Sequence, residues 1–308
     1  VGDLAGQYAT GSSNTFIGYQ SGKGGTTSAP FSSGTNNVAV GTYTFISHTT
    51  AGETTAIGYN AGNAITTGIR NVTVGAYSGD SLTTGARNVA IGVHTLGAAT
   101  TANLNVAIGQ GAMESAAASV AFEGAIAIGK DALTALNSTD ANGTIAIGYQ
   151  AGKAITSGRY STFVGYAAGY SSDTNDGNTF IGYLAGYEAD ASTVVAGQNT
   201  YIGAFAGRFL DDGTDNVAIG YDAMASNSDS AANAVNYSIA IGRNAMASSD
   251  SNQGTIAIGY YAGDHASADV DNAVIIGREA GRGAMTSGAD GTVAIGYAAS
   301  QALTSGAG

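Results

Sequence analysis

The chain lacks several residues on which ordinary globular proteins depend. Of its 308 residues none is Cys or Trp, one is Pro, and only 10% are charged. The absence of Cys excludes disulfides and thiolate metal sites. The hydrophobic fraction is 44%, but much of it is Ala, and the large apolar side chains reduce to Ile, Val, a few Leu, 8 Phe and 17 Tyr. We therefore expect the protein to bury only a thin core.

Basic residues are also scarce. The 10 Lys and Arg stand against 22 Asp and Glu, which gives a formal net charge of −12. A chain this acidic repels phosphate backbones and anionic membrane surfaces, so we expect no nucleic-acid partner. The sequence also lacks any stretch of about 18 apolar residues, and we expect no membrane span in it.

Glycine, by contrast, is abundant, with 48 residues, and much of it belongs to a repeat. The phrase Asn-Thr-Phe-Ile-Gly-Tyr at 14–19 returns as Asn-Val-Ala-Val-Gly at 37–41 and continues in this form along the chain. We call the glycine of this phrase the repeat glycine, position 0, and number the other positions of each unit from it. The sixteen repeat glycines are Gly18, Gly41, Gly58, Gly75, Gly92, Gly109, Gly129, Gly148, Gly165, Gly182, Gly203, Gly220, Gly242, Gly259, Gly277 and Gly296. Eight of the fifteen spacings are 17 residues and the others run from 18 to 23, which is typical of a solenoid with one repeat per coil.

The residues before the repeat glycine favour a short β-strand. Position −1 is Ile or Val in every unit, position −3 is Val, Ile or Thr, and position −2 is mostly Ala. We expect the β-branched side chains to point inward and the Ala row to form a flat outer face that packs against copies of the chain. Representative residues at position −1 are Ile17, Ile91, Ile181 and Ile219.

Two columns predict the corners of the coil. The repeat glycine is expected to turn a corner, through a positive φ angle or because a neighbouring backbone passes too close for a Cβ. Position −4 is Ser or Thr in six units and Asn in eight, and stacked side chains of this kind predict a hydrogen-bond ladder. The eight are Asn14, Asn37, Asn71, Asn88, Asn105, Asn178, Asn199 and Asn216.

The second half of the unit is less regular. Position +1 is Tyr in eight units, which predicts a stacked aromatic row, and position +3 is always Ala, Ser or Thr. An apolar residue about seven positions past the glycine, such as Ile65, predicts a short second strand. Longer units place their extra residues in the loop that follows, at 24–35, 115–124, 189–198 and 226–236, and we expect these loops to project from one edge.

A monomer built from such thin coils buries little apolar surface. Two or three large apolar side chains per unit are few against the conformational entropy that ordering the unit costs. A homotrimer around a central axis would let three thin coils share one core. About 16 coils at about 4.8 Å each would make a rod about 75 to 80 Å long.

The repeat also resembles known fibre proteins. The wording Asn-x-Ala-Ile-Gly-x-x-Ala, at 105–112 and 216–223, resembles the head repeats of YadA-like trimeric autotransporter adhesins. The wording Asn-Thr-Phe-Ile-Gly-Tyr-x-Ala-Gly, at 178–186, is similar to repeats of bacteriophage tail fibres and bacterial surface fibres. The resemblance implies a left-handed β-roll in a tight trimer, although the period here exceeds the about 14 residues of the adhesin heads.

We therefore predict an all-β, parallel β-solenoid of the left-handed β-roll type, with about 16 coils, assembled as a homotrimer. Residues 1–308 would form one continuous domain, a piece of a longer fibre. The expected role is a structural shaft or adhesive segment of an extracellular fibre, on a virion or a bacterial surface, whose partners are its own copies and a cell-surface receptor or glycan. The alternatives are the ligand-binding head of a trimeric adhesin and an ice-binding solenoid.

Candidate sites are few, and no base with an orienting partner predicts an enzyme. We expect no cofactor, with loop carboxylates as weak Ca²⁺ candidates; their spacing matches no EF-hand loop, so solvated turns are the simpler interpretation. These carboxylates are Asp173, Asp176, Asp211 and Asp215. The histidines, His48, His94 and His265, occupy different repeat positions and are expected at the surface. Tyr149, Tyr166 and Tyr183 are candidates to stack sugars, or simply pack between coils.

Overall fold

The computed structural model describes most of the chain in two compact units, Val1–Gln150 and Ala151–Gly308, each of which is described here by itself. The described residues are 1–25, 32–116, 121–138, 142–171, 176–187, 197–210, 213–226, 235–248, 251–264, 270–283, 285 and 289–301. Between four and eight residues of each predicted projecting loop, together with Asp173, Asp211 and His265, lie outside these ranges. The described residues contain strands, turns and bends and no α-helix.

Each unit is a parallel β-solenoid, as the repeat predicts. In the first unit eight strands pair in chain order: β1 (Thr15–Ile17), β2 (Val38–Val40), β3 (Thr55–Ile57), β4 (Val72–Val74), β5 (Val89–Ile91), β6 (Val106–Ile108), β7 (Ile126–Ile128) and β8 (Ile145–Ile147). In the second unit eight more do so: β9 (Thr162–Val164), β10 (Thr179–Ile181), β11 (Thr200–Ile202), β12 (Val217–Ile219), β13 (Ile239–Ile241), β14 (Ile256–Ile258), β15 (Val274–Ile276) and β16 (Val293–Ile295). Every strand ends directly before a repeat glycine, so the repeat and the coil coincide.

The strands stack in register, with each repeat position opposite its own counterpart. Between β5 and β6, for example, Ala90 lies opposite Ala107 and Ile91 opposite Ile108. Like side chains therefore form continuous rows along each unit, and every row has one chemical character. A solenoid of this kind gains its stability from contacts between neighbouring coils.

The two faces of the strand are the reverse of what the sequence predicts. Ala56 and Ala90, at position −2, are fully buried, whereas Ile57 and Ile91 remain 39% and 38% exposed. The expectation that the β-branched residues point inward and the Ala row outward was wrong. The physical reason is the narrow interior of the coil, where a row of Ala and one large side chain already fill the space.

Side chains from three positions, −2, +4 and +7, fill the interior of the coil. Where position −2 is Phe or Tyr, as at Phe180, position +4 is Gly, and where position −2 is Ala, position +4 is often large, as at Leu96. Where both are small, as at Ala56 and Gly62, the apolar residue at position +7 enters instead. The large side chains that are buried in this way include Phe163, Phe180, Tyr201, Phe45, Leu96, Met113, Leu133, Met224, Met246, Ile65, Leu82 and Ile155. Close packing thus limits most coils to one large interior side chain.

The predicted second strand is not formed. The residues around Ile65 form turns and bends, and the preceding positions +2 and +4 have positive φ, for example 55° at Asn60 and 51° at Leu96, so extended backbone cannot lead into this segment from the repeat glycine. The segment is a series of turns that still bonds to the next coil, as in Thr66 N–H to the Thr83 carbonyl at 2.9 Å. The left-handed conformation at these positions turns the chain and closes the coil.

The repeat glycine meets both conditions that its position suggested. Gly75 has a φ of 128°, and a Cβ on it would lie 2.3 Å from the carbonyl oxygen of Gly92 in the next coil. Any side chain at this corner would force two coils apart. The glycine is therefore required both by the backbone conformation and by the close approach of the next coil.

Candidate binding surfaces

The Asn column forms the predicted ladder, and it fixes the strands that carry the surface. Oδ1 of Asn71 accepts the backbone N–H of Asn88 at 2.9 Å, and Nδ2 of Asn71 donates to the Gly85 carbonyl at 2.8 Å. Asn88 and Asn105 repeat the first bond at 3.1 Å. In the second unit Asn178 and Asn216 accept in the same way from the next coil, and in the first unit Asn14 does so. Each of these Asn side chains accepts a backbone N–H of the next coil through Oδ1, and all of them except Asn14 are buried, so they tie the starts of neighbouring strands together.

The outward face of the strands, positions −3 and −1, is chemically uniform in each unit. All sixteen of these positions in β1–β8 are Thr, Val or Ile, and so are all sixteen in β9–β16. Ile57 and Ile219, for example, are 39% and 37% exposed, and no charged side chain interrupts the two rows. We call this surface the β-branched face. An apolar surface that extends over many coils is typical of a protein interface.

An aromatic row follows the strands of the first unit. Tyr19, Tyr43, Tyr59, Tyr77 and His94 lie in succession, one per coil, with ring centroids 4.9 to 6.2 Å apart. The row uses position +1 in some coils and position +2 in others. The sequence predicted the row only at position +1. It did not indicate that the left-handed residue at position +2 lies beside the +1 ring of a neighbouring coil.

The second unit carries a row of the same kind, which includes two of the candidate binding tyrosines. The rings of Tyr166 and Tyr183 stack at 5.2 Å with an interplanar angle of 22°, and Phe205 and Tyr221 continue the row edge to face. The guanidinium of Arg243 lies 5.2 Å from the Tyr221 ring centroid and extends the row by one coil. Tyr149 belongs to the first unit and is 38% exposed. Because part of each ring faces solvent, these rows offer apolar faces with phenol hydroxyls at their edges.

The described Ca²⁺ candidates have other roles. The carboxylate of Asp176 pairs with Arg159, with 2.9 Å between Oδ2 and Nε, and its Oδ1 accepts the Arg159 backbone N–H at 2.8 Å. Asp215 has a left-handed φ of 57°, and its N–H donates to the Gly197 carbonyl of the preceding coil at 3.1 Å. Neither residue gives the Ca²⁺ hypothesis support.

One histidine differs from its expected place. His48 is fully buried, with its ring stacked on Phe45 at 4.6 Å and Nδ1 3.1 Å from the Phe45 carbonyl oxygen. Burial lowers the pKa of His48, against the opposing effect of that carbonyl. The prediction of a surface position was wrong here because position +7 is an interior position. His94 is exposed and stacks on Tyr77.

Within the described ranges no group of three or more His, Cys, Asp and Glu side chains is arranged to hold a metal ion. Nor does that part of the chain contain a helix long and apolar enough to cross a bilayer. Comparison with protein-family models, with curated proteins and with solved structures finds no match to this chain.

Proposed function

We propose that this chain is a shaft or adhesive segment of an extracellular trimeric fibre, of the kind found in phage tail fibres and bacterial surface filaments. Its role there is to give reach and stiffness and to support attachment to a receptor or surface. The observation that carries the proposal is the β-branched face, an uncharged double row of Thr, Val and Ile along each unit.

Burial of the β-branched face is the main free-energy gain available to such a fibre. Each partly exposed Ile or Val that leaves water gains about 25 cal/mol per Å² of apolar area. A thin coil has little interior of its own, so this outer face is where a shared core would form. Three identical chains around one axis would bury all three faces together in one shared core. We therefore propose that the Ile and Val rows form the trimer interface, in place of the Ala row that the sequence predicted.

Two further points support the proposal. Parallel, in-register coils make each unit a stiff element, because each coil is bonded to its neighbours through both backbone and Asn side chains. The repeat motif resembles those of phage fibres and of adhesin heads, and this resemblance supports an extracellular location and a left-handed β-roll.

The mass of the protein in solution tests the proposal. We expect a particle about three times the 30.2 kDa of one chain, measured by sedimentation or light scattering. The double variant Ile57→Glu and Ile91→Glu introduces like charges into the face and should shift the mass toward one chain. Leu104→Glu, at an exposed apolar residue outside the strands, is the matched control and should leave the mass unchanged. A wild-type protein that stays monomeric with ordered β-structure would refute the proposal.

A second candidate is the head of a trimeric adhesin, which binds its ligand on the solenoid itself. The stacked, half-exposed rings of Tyr166 and Tyr183 favour it, since sugars stack on such faces. Deletion of 226–236 or replacement of both rings by Ala should then abolish adhesion, while a shaft would tolerate either change. A monomer with thermal hysteresis would instead favour the ice-binding alternative.

A further inference from the structure

The unit Ala151–Gly308 contains a cavity of about 210 Å³ on the turns between its coils. Eight of its nine lining residues occupy positions +2 and +5 of successive coils and the ninth, Ser248, occupies position +6, so none of them belongs to a strand. The cavity is therefore independent of the β-branched face and of the fibre role proposed above.

A local change in the sequence opens the cavity. Position +5 usually carries a longer side chain, such as Lys153 or Tyr170, but two consecutive coils have Ala225 and Ala247 there. Both alanines are almost completely buried and form the floor. The missing side-chain volume leaves a recess two coils tall, bounded by Arg208 on one side and by Asp264 and Arg282 on the other.

The charged groups around this recess are held in place. The guanidinium of Arg208 lies 4.7 Å from the ring centroids of both Phe205 and Phe209, and that of Arg282 lies 4.2 Å from the Tyr261 ring. Such cation–π contacts orient the guanidinium planes without neutralising them. Asp264, which is 1% exposed, lies 3.7 Å from Arg282 between Oδ2 and Nε. Two arginines and two aspartates, Asp222 being the second, leave the lining with no net charge.

Two polar atoms of the lining residues lack a partner within the described part of the chain. Nε of Arg208 is a buried donor without an acceptor, and Oδ1 of Asp222 is a buried acceptor without a donor. Burial raises the pKa of Asp222, although Arg208 and Arg243 oppose the effect. Leaving such groups unpaired costs free energy, and both residues line the recess.

We infer that this recess binds a neutral, hydroxyl-bearing ligand of about the size of one sugar ring. A hydroxyl group both donates and accepts, so one ligand can satisfy the donor of Arg208 and the acceptor of Asp222. The side chains of Asn244, Ser248 and Tyr261 add further donors and acceptors for neighbouring hydroxyls. Pockets for drug-sized ligands measure about 300 to 1,000 Å³, so this recess suits a single ring.

A charged ligand fits the recess less well. A carboxylate would approach Asp222 and Asp264 along with the arginines, and an ammonium group would approach both arginines. The charges of the wall are already engaged, Asp264 with Arg282 and the guanidiniums with aromatic rings. They orient a polar neutral molecule better than they neutralise a full charge.

The experiment is a binding titration of the complete chain, in which binding is measured by ligand-observed NMR and by calorimetry. The probes are methyl glycosides of glucose, galactose, mannose, rhamnose and N-acetylglucosamine, with glycine and acetate as the zwitterionic and anionic controls. We expect at least one glycoside to saturate the protein, and glycine and acetate to show no binding. Absence of binding by every glycoside, or equally strong binding of glycine or acetate, would overturn the inference.

Two variants locate the site. Ala247→Tyr fills the recess with a side chain that other coils carry at this position and should weaken binding at least tenfold. Asp222→Asn keeps the shape, removes the charge and should weaken binding about fivefold. Asp80→Asn is the matched control, since burial also raises the pKa of Asp80 but this residue lies in the other unit. Unchanged binding in both cavity variants, with melting curves showing them folded, would refute the site.

Discussion

The ring of Phe180 occupies the space that a side chain on Gly186 would need. A Cβ on Gly186 would lie 2.5 Å from the ring atoms Cδ2 and Cε2 of Phe180. The same relationship joins Tyr201 to Gly207, where the nearest ring atom would be 2.3 Å away. Positions −2 and +4 therefore compete for one volume, and their residues must be exchanged together.

This competition predicts a compensating pair in the coil of Ala218 and Met224. Ala218→Phe alone should collide with Met224, and Met224→Gly alone should leave a cavity that costs about 2 to 5 kcal/mol. The double variant reproduces the arrangement of Phe180 and Gly186 and places a ring beside Tyr201, the register partner of Ala218. Denaturant unfolding should show a favourable coupling of about 2 kcal/mol.

The control for this cycle combines Ala218→Phe with Met113→Gly in the other unit, where no compensation is possible. The two losses should then simply add. If they also add in the Ala218–Met224 pair, the two positions do not share one space.

The repeat glycine should tolerate no side chain. Gly75→Ala would place a Cβ 2.3 Å from the Gly92 carbonyl oxygen, and we expect a loss of more than about 3 kcal/mol in the free energy of unfolding. Gly124→Ala is the control, because Gly124 also has a positive φ of 72° but its nearest neighbouring atom would be 4.0 Å away. That variant should lose about 1 kcal/mol, the cost of the left-handed conformation alone. Equal losses in the two variants would show that the clash is unimportant.

A stabilising substitution follows from the left-handed positions. Leu104, at position −5, is 44% exposed and has a φ of 57°, which is unfavourable for Leu. Asn36 and Asn272 occupy the same position with similar φ angles, 59° and 56°. Leu104→Asn should therefore raise the free energy of unfolding by about 1 kcal/mol, whereas Leu104→Ala, which keeps the backbone strain, should change little. A loss of stability in Leu104→Asn would contradict this account.

The buried His48 predicts a pH dependence of stability. Burial lowers the pKa of His48 in the folded protein below its ordinary value of 6.5, so the unfolded chain takes up a proton first as the pH falls. Its contribution to stability is full above about pH 6.5 and declines as the pH falls toward the folded-state pKa. His48→Phe should remove this decline, and the difference between the two proteins in chemical unfolding should grow from about pH 7.5 to about pH 5. The exposed His94→Gln serves as control and should retain the decline; a parallel pH profile for wild type and His48→Phe would exclude His48 as its cause.

The sequence predicted the parallel coils and the register because the strand and its glycine recur in all sixteen units, and it predicted the ladder because Asn recurs at position −4 in eight of them. Stacked repeats place like residues opposite each other. It could not tell which face of a triplet such as Val89–Ile91 is inside, since alternation has period two and both assignments satisfy it. The usual preference for burying Ile favoured the wrong one. The exclusive pairing of Phe or Tyr at −2 with Gly at +4 was the signal that would have identified the interior.

The cavity of Arg208 and Asp222 could not be predicted in the same way. It depends on positions +2 and +5 of different coils facing one another, which follows from left-handed residues such as Asn244 and Tyr261. Position +2 is Gly in one coil and Asn in two, so the sequence as a whole does not indicate a positive φ there. The residues Ala225 and Ala247 look like ordinary sequence variation at position +5.

The Asn ladder also has a direction. Both polar ends of Asn71 bind groups of the following coil, the N–H of Asn88 and the carbonyl of Gly85, and none of these bonds requires a coil later than that one. A folded coil therefore presents oriented acceptors and donors. The next segment of polypeptide can pair with them as it leaves the ribosome or a secretion channel. Within each unit the solenoid should therefore grow from its amino-terminal side, and formation of the first coil, which has no preceding coil to pair with, should be the slow step.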